Sequence, residues 1–331
     1  PCMLLLWGSC LFMRKDVLAL RPSPVQIHYH GYMGTTGAPW IDGYLADRHI
    51  APPEHAGFFS ERLLLLPECF LGPSHRLTHQ LWGRSGGNKW TDGYDEEDER
   101  TRRVREKLPP EGPVLCSFNQ HFKLEPVTFR VWLDLLRALP GSVLWLLEGN
   151  PVSQRNLLRE AAAGGVEAWR VVFAPRVHIE WHLRRAALCD VALDTPQYNS
   201  GATGADTLFA SVPVVTVPGS KPVGRMGAAM LRALRLPELI VRDAGEYWRL
   251  VRRLAGSKEA LDRMRSKLLR RVVWAPLFDV RAWVNDFDQT ARMAWDAFIA
   301  RGADDDAGER STQERRGVAL PHVMVARPQQ L

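Results

Sequence analysis

The hydrophobic pattern of the chain changes near residue 113. Beyond that point, short continuous apolar runs such as VLCS and VLWLL each precede a segment whose apolar residues recur at helical spacing. Apolar runs without alternation are typical of strands buried on both faces, and repeated strand–helix units form parallel sheets. Residues 111–298 are therefore expected to form an α/β domain with a doubly wound parallel sheet. Its strands are predicted within 114–119, 142–149, 170–174, 191–195, 212–219 and 238–241.

The remaining segments have different patterns. Residues 1–75 contain short strands and loops, and their first apolar run is shorter than the roughly 20 residues that span a bilayer. It also lacks a preceding basic segment, so we expect a buried strand rather than a signal peptide. Residues 76–110 combine mixed charge with few aliphatic residues, which predicts a linker. Residues 299–331 are expected to be a disordered tail.

Composition and charge indicate which kinds of partner the protein binds and in which compartment it is found. The 331 residues are 46% hydrophobic and 24% charged, as in ordinary soluble domains, and the net charge of +6 favours anionic partners without choosing one. Arginine pairs at 252–253 and 270–271 lie on amphipathic segments, where a solvated face is the ordinary explanation. We therefore expect no nucleic acid partner and no membrane. Five well-separated cysteines indicate buried thiols in the cytoplasm or nucleus rather than disulfides.

Two strand ends of the predicted sheet carry candidate ligand-binding residues. Ligands of open α/β sheets bind beyond the carboxyl ends of the strands. Gln120 and Lys123 follow the first strand, where a lysine can neutralise a phosphate, although a simple polar loop explains them equally well. His178 and His182 are four residues apart, as on one helix face. Their spacing to Glu180 differs from the zinc-protease motif, which favours hydrogen bonding to an anion over a metal.

A third strand end is rich in glycine. NSGATGAD, residues 199–206, lies between a strand ending at Asp194 and a helical segment. Glycines allow close backbone approach, and a helix N-terminus attracts anions, so this stretch suggests a nucleotide diphosphate. Thr203 would add a hydroxyl, and Asp206 could bond ribose hydroxyls. Alternatively, Thr203 is an N-cap and Asp206 a partner of the helix dipole in its first turn.

A glycine loop in the first region is a weaker signal of the same kind. HGYMGTTGA contains three glycines, Gly31, Gly34 and Gly37, interleaved with two threonines. A turn needs one or two such residues, so the third suggests backbone amides that meet a ligand.

As an ordered set, these stretches resemble the catalytic region of the O-linked N-acetylglucosamine transferase family, which includes the SPINDLY-type protein fucosyltransferases. The resemblance extends over most of residues 20–298, through VQIHYHGYMGTTGAPWIDGYLAD, SFNQHFK and RVHIEWHLRR to NSGATGADTLFASVPVVTVPG. It implies a GT-B fold with two Rossmann-like lobes, of which residues 1–75 are the C-terminal part of the first. It also implies inverting transfer of N-acetylglucosamine from UDP-GlcNAc to Ser or Thr of proteins, without a metal or other cofactor.

The resemblance also assigns roles to individual residues. Compared with the family, the tetratricopeptide repeats are expected to be absent from this chain, and residues 76–110 are expected to replace the inter-lobe insertion. Lys123 and His182 are implied as catalytic residues, with Lys123 neutralising the leaving group. The implied UDP-sugar contacts are Gln120, Arg185, Thr203, Gly204, Asp206, Gly34, Thr36 and Gly37.

The chain departs from the family pattern at several polar positions. Gly201 and Ala202 stand where the family has His and Thr, Ile179 replaces a lysine, and Phe122 replaces a tyrosine. Two alternatives to N-acetylglucosamine transfer therefore stay open. One is a non-catalytic UDP-sugar-binding or scaffold protein, and the other is a protein O-fucosyltransferase of the SPINDLY branch.

Overall fold

A computed structural model describes residues 3–6, 15–79, 97–306 and 323–325. The chain divides into two compact units. The first unit comprises the residues up to Gly72, the short segment Lys221–Val223 and the residues from Asp279 onward. The second unit comprises Pro73–Ser220 and Gly224–Phe278. Each unit is built on its own five-stranded sheet, and every strand pair in both sheets is parallel.

The sheet of the first unit has the order β1-β2-β3-β4-β10. Its strands are β1 (Met3–Leu6), β2 (Val25–Tyr29), β3 (Gly43–Asp47), β4 (Arg62–Leu66) and β10 (Val323–Val325). The described residues of this unit include two α-helices, α1 (Lys15–Ala19) and α11 (Val280–Asp306). Strands β2 and β3 are buried along their whole length, including their polar residues Gln26, His28 and Asp47.

Aromatic residues of α11 cover one face of this sheet. Trp283, Phe287, Trp295 and Phe298 pack against a buried cluster of β2, β3 and β4 side chains. The indole Nε1 of Trp283 also donates to the carbonyl oxygen of Cys69 (3.1 Å). The predicted boundary at 298 is therefore corrected, because the helical segment from 280 packs on the first unit. The helix continues to Asp306 and β10 pairs with β4, so these parts of the predicted tail are ordered, while 307–322 and 326–331 lie outside the described residues.

The second unit has the sheet order β7-β6-β5-β8-β9. Its strands are β5 (Val114–Ser117), β6 (Val143–Leu147), β7 (Val171–Ala174), β8 (Val191–Leu193) and β9 (Val214–Val215). Its helices are α2 (His75–Thr78), α3 (Glu99–Arg105), α4 (Pro126–Ala138), α5 (Pro151–Ala163), α6 (Ile179–Ala186), α7 (Ala202–Phe209), α8 (Met226–Ala233), α9 (Ala244–Ala255) and α10 (Lys258–Trp274).

Two predictions for the second unit need correction. The strand expected at 238–241 is a single bridge between Thr216 and Ile240, because a 3-10 turn at Pro237–Leu239 occupies the first half of it. The predicted linker contains two helices, α2 and α3, and the buried Arg103 of α3 lies 3.7 Å from Asp190. That ion pair explains how a segment with few aliphatic residues is fixed to the unit. Residues 80–96 of the predicted linker lie outside the described residues.

The cysteines also differ from expectation. Cys116 and Cys189, 73 residues apart, form a disulfide because neighbouring strands β5 and β8 bring their Cα atoms to 5.9 Å. Of the three cysteines in the described residues, only Cys69 is a buried thiol, and burial raises its pKa well above the usual value. Cys2 and Cys10 lie outside the described residues. Among the residues that the structure describes, no helix is both long and apolar enough to cross a bilayer.

Candidate functional site

A buried carboxylate organises the loop between β8 and α7. Asp194 follows β8, and its Oδ1 accepts hydrogen bonds from the backbone amides of Thr195 (3.0 Å) and Ser200 (2.8 Å). Its Oδ2 accepts one from the hydroxyl of Thr216 (2.7 Å). Burial raises the pKa of Asp194, while these donors act in the opposite direction. Because several donors converge on one carboxylate, the glycine-rich lead-in has a fixed conformation.

Lys123 reaches this loop from the turn after β5. Its ammonium Nζ donates to the carbonyl oxygen of Asn199 (2.9 Å) and lies 4.1 Å from the centre of the Tyr198 ring. Asn199 is itself held, since its side chain donates to Thr195 and accepts from the amide of Gly227. Burial lowers the pKa of Lys123, and the carboxylate of Asp194 opposes that shift. The ammonium therefore lies beside the backbone that leads directly into α7.

Helix α7 begins with a residue that cannot cap it through a side chain. Gly201 is the N-cap, and Thr203 is the second helical residue, so the alternative of Thr203 as N-cap is wrong. Gly204 is needed for packing, because a Cβ there would lie 2.8 Å from both Met230 Cε and Ser200 Oγ. Asp206 is the fifth helical residue and therefore lies beyond the first turn in which it was predicted. This end offers backbone N–H groups and a positive dipole end to an anion.

His182 and Asp206 contribute to one electrostatic environment. The imidazole of His182 packs edge-on against Phe118, with ring centres 4.9 Å apart. Burial lowers the pKa of His182 to about 4, with Asp206 raising it and Arg185 lowering it. His182 is therefore neutral near pH 7 and can act as a hydrogen-bonding group rather than a cation. Asp206 Oδ1 lies 2.7 Å from His75 Nε2.

Arg185 and Gln120 occupy contrasting positions. Arg185 is only 1% exposed, donates to the carbonyl oxygen of Pro175 (2.7 Å) and lies 3.8 Å from Glu106 Oε2. Its guanidinium also lies over an aromatic pair, Phe118 and Trp145. Gln120 is exposed at the start of the turn that carries Lys123. The predicted nucleotide contacts of both residues stay predictions.

The glycine loop of the first unit is held by a carboxylate that the sequence pattern did not single out. Glu61, 1% exposed, accepts hydrogen bonds from the amide (2.6 Å) and hydroxyl of Thr36 and from the hydroxyl of Thr35 (2.8 Å). Gly37 has a φ of +66°, which favours glycine, and a Cβ on Gly34 would lie 2.9 Å from Tyr32. The ligand contacts predicted for Gly34, Thr36 and Gly37 stay predictions.

Three more contacts were missed from the sequence. His75 is the last residue before the predicted linker at 76–110, and nothing in its local sequence indicates a contact with Asp206, 131 residues away. Asp194 was noted only as a strand end, although an acidic residue after an apolar strand is a signal that could have been followed. Tyr198 gives no sequence signal for its contact with Lys123. The described residues contain no group of three or more His, Cys, Asp or Glu side chains suited to a metal ion.

Solved structures with similar folds define the class of protein. An O-GlcNAc transferase mutant from Thermobaculum terrenum matches with a TM-score of 0.73 and 27% identity, over 89% of this chain and 54% of that one. HepE from Anabaena, solved with UDP and glucose, matches with a TM-score of 0.54 at 14% identity, over 87% of this chain and 77% of that one, which bears on the fold alone. The fold is mixed α/β of the GT-B type, with a parallel Rossmann-like sheet in each unit.

Sequence relatives then identify the family. The glycosyl transferase family 41 model matches residues 6–99 and 88–287, so the chain belongs to that family. The probable UDP-N-acetylglucosamine–peptide N-acetylglucosaminyltransferase SEC of Arabidopsis thaliana is 31% identical over 85% of this chain. The UDP-N-acetylglucosamine–peptide N-acetylglucosaminyltransferase of Caenorhabditis elegans is 25% identical, also over 85%. The chain spans only 28% and 33% of the length of these two relatives, respectively.

Proposed function

We propose that this chain carries the nucleotide-binding part of a protein O-glycosyltransferase that moves N-acetylglucosamine from UDP-GlcNAc to Ser or Thr hydroxyls with inversion. The observation that carries the proposal is the position of the Lys123 ammonium, which lies 2.9 Å from the carbonyl oxygen of Asn199. Asn199 is two residues before Gly201, the N-cap of α7. A cation and a helix N-terminus are thus joined at the carboxyl ends of parallel strands, where ligands of such sheets bind.

The chemistry of transfer explains why a cation is needed there. The acceptor hydroxyl oxygen attacks the anomeric carbon from the face opposite UDP and releases its proton to water, while the bond from that carbon to the diphosphate oxygen breaks. Negative charge develops on the departing diphosphate. Preorganised donors stabilise such charge, and we assign this role to Lys123, the first amides of α7 and the hydroxyl of Thr203. Because these groups supply positive charge, the reaction is proposed to need no metal.

The remaining nucleotide contacts are proposed around the same helix end. Asp206 would accept hydrogen bonds from the ribose hydroxyls, and the neutral His182 would donate one hydrogen bond to the nucleotide. Gln120 is exposed beside Lys123 and could contact the nucleotide without rearrangement of the fold. Arg185, buried over Phe118 and Trp145, would act through the long-range field of its charge. A cytoplasmic or nuclear location stays a prediction of the family resemblance.

A second candidate function is binding of a UDP-sugar without transfer. It is favoured by the start of α7, where Gly201 has no side chain to hydrogen-bond an anion and Ala202 has no hydroxyl. Ile179, the first residue of α6, likewise has an apolar side chain where the family resemblance implies a lysine. Fucosyl transfer of the SPINDLY kind stays a further alternative for the donor sugar.

Calorimetric titration with UDP tests the nucleotide site directly. We expect saturable binding, weakened about tenfold or more by Lys123→Ala, which corresponds to about 1.4 kcal/mol. The matched control is Lys258→Ala, which removes an 88% exposed lysine of α10 in the same unit. A folded wild type that ignores UDP, or equal losses in both variants, would contradict the proposal.

Sugar transfer is tested separately with labelled UDP-GlcNAc and GDP-fucose as donors and a mixture of Ser/Thr peptides as acceptors. Label that enters peptide only from UDP-GlcNAc supports the proposed reaction, and label only from GDP-fucose supports the SPINDLY alternative. UDP binding without label transfer supports the non-catalytic alternative.

A further inference from the structure

The carboxylate of Asp206 is held by a histidine from a distant part of the sequence. His75 is the first residue of α2, and its Nε2 lies 2.7 Å from Asp206 Oδ1, although the two residues are 131 positions apart. Both side chains are largely buried, with 13% and 15% of their surfaces exposed. An ionised carboxylate only accepts hydrogen bonds, so Nε2 must be the donor. The pair is therefore a charge-assisted contact in a partly dry environment.

The ring of His75 has little freedom to turn away. It packs against three other rings, with its centre 5.0 Å from that of Phe209, 5.6 Å from that of Phe278 and 5.7 Å from that of His79, and the two phenylalanine rings also contact each other. Its other nitrogen, Nδ1, is buried and has no hydrogen-bond partner among the described residues. If the ring rotated, it would lose the only hydrogen bond described for it and would collide with its aromatic neighbours. The direction of the Nε2 donor is fixed by packing.

This arrangement leaves half of the Asp206 carboxylate available. Oδ1 is occupied by His75, whereas Oδ2 makes no hydrogen bond to any other side chain or amide in the part of the chain that the structure describes. A carboxylate on the second turn of a helix could otherwise adopt several rotamers. With one oxygen anchored, the second oxygen has a defined direction before any ligand binds.

We propose that His75 is a positioning residue that orients Asp206 to recognise the ribose hydroxyls of the nucleotide, and thereby sets a preference for ribonucleotides over nucleotides without those hydroxyls. The inference rests on the proposed UDP site and deepens it. A prepositioned acceptor loses less side-chain freedom when the ligand binds, so affinity for the hydroxyls rises. A ligand without these hydroxyls gains nothing from the arrangement.

The experiment compares two ligands on matched variants. UDP and 2′,3′-dideoxyuridine 5′-diphosphate are titrated calorimetrically into the wild type, His75→Phe and His75→Gln. His75→Phe keeps an aromatic ring packed against Phe209 and Phe278 but removes the donor, while the Gln side-chain amide can replace the Nε2 donor. We expect His75→Phe to bind UDP about tenfold more weakly than the wild type does, a difference that calorimetry resolves. Its affinity for the dideoxy ligand should change by less than about twofold, and His75→Gln should recover most of the UDP affinity.

Asp206→Asn separates failure of this inference from failure of the proposed function. A wild type without preference for UDP over the dideoxy ligand, or an Asp206→Asn variant that keeps the preference, overturns the ribose role of Asp206 and the inference with it. If Asp206→Asn loses the preference but His75→Phe keeps it, the positioning role alone is overturned. Equal weakening of both ligands in His75→Phe also overturns it, because a merely structural role would act in that way. His75→Met, which also lacks a donor, replaces His75→Phe if circular dichroism shows that the latter is unfolded.

Discussion

Replacement of His182 should change how the stability of the protein depends on pH. The pKa of His182 is lowered from 6.5 to about 4, mainly by burial. As the pH falls below 6.5, the unfolded chain therefore takes up a proton on this side chain, whereas the folded chain does not until about pH 4. Folding stability that is fully present above pH 6.5 is thus lost as the pH falls through this window. At about pH 5 the loss amounts to roughly 2 kcal/mol.

His182→Phe removes the titrating group and retains a ring against Phe118. The free energy of unfolding in urea is measured at about pH 7.5 and about pH 5 for both proteins, and the two pH effects are subtracted. Other histidines with lowered pKa values, such as His30 and His121, contribute equally to both proteins and cancel. We expect the wild type to lose roughly 2 kcal/mol more than the variant on acidification. His178→Gln, at an exposed position before the same helix, controls for the loss of a histidine as such. Parallel losses in wild type and His182→Phe would refute the reasoning.

Three further predictions concern stability. Glu61→Ala removes the acceptor that holds the glycine loop and should lower the free energy of unfolding by about 2 kcal/mol. Backbone amides at 34–37 should then lose their protection from hydrogen exchange, and retained protection would contradict the prediction. Gly227→Ala would place a Cβ 2.5 Å from Asp194 Oδ2, so the urea midpoint should fall by an amount equivalent to about 1–3 kcal/mol, and an unchanged midpoint would show that the loop can yield. Reduction of the Cys116–Cys189 bond, which closes a 73-residue separation, should lower stability by about 4 kcal/mol. Alkylation of both thiols in the unfolded, unreduced protein, seen by mass spectrometry, would show that the bond does not form.

The sheet of the second unit was predictable because its strands are buried on both faces. Each apolar run precedes a helical repeat, and that order leaves little choice beyond a parallel sheet. The assignment of α11 was not predictable in the same way. Aromatic residues at helical spacing show only that one face of the helix is buried. They do not show that this face packs on β2, β3 and β4, which lie more than 200 residues earlier in the chain. Trp283 illustrates this, since it donates to Cys69 across 214 positions.

The disulfide shows a related limit of sequence reasoning. Spacing in the sequence says nothing about which strands are neighbours, and β5 and β8 become adjacent only because the chain crosses back past β6 and β7. The same crossing brings Lys123 to Asn199. Lys123 could be recognised as a cation at a strand end, but its partner is a backbone oxygen 76 residues later, which has no signature in the sequence.

The structure also changes the reason for the polar residues that lead into α7. Asn199 and Ser200 could be read as ligand-binding groups, yet both are buried and hydrogen-bonded to residues of the same unit, Ser200 to Asp194 and Asn199 to Thr195 and Gly227. Their role is to fix the backbone, because a buried polar group needs a partner and these partners are internal. The groups that we propose for the diphosphate are therefore the ammonium of Lys123, the hydroxyl of Thr203 and the open helix end at Gly201. Binding of a diphosphate should therefore depend strongly on Lys123 and on backbone geometry, and only weakly on the side chains of the lead-in.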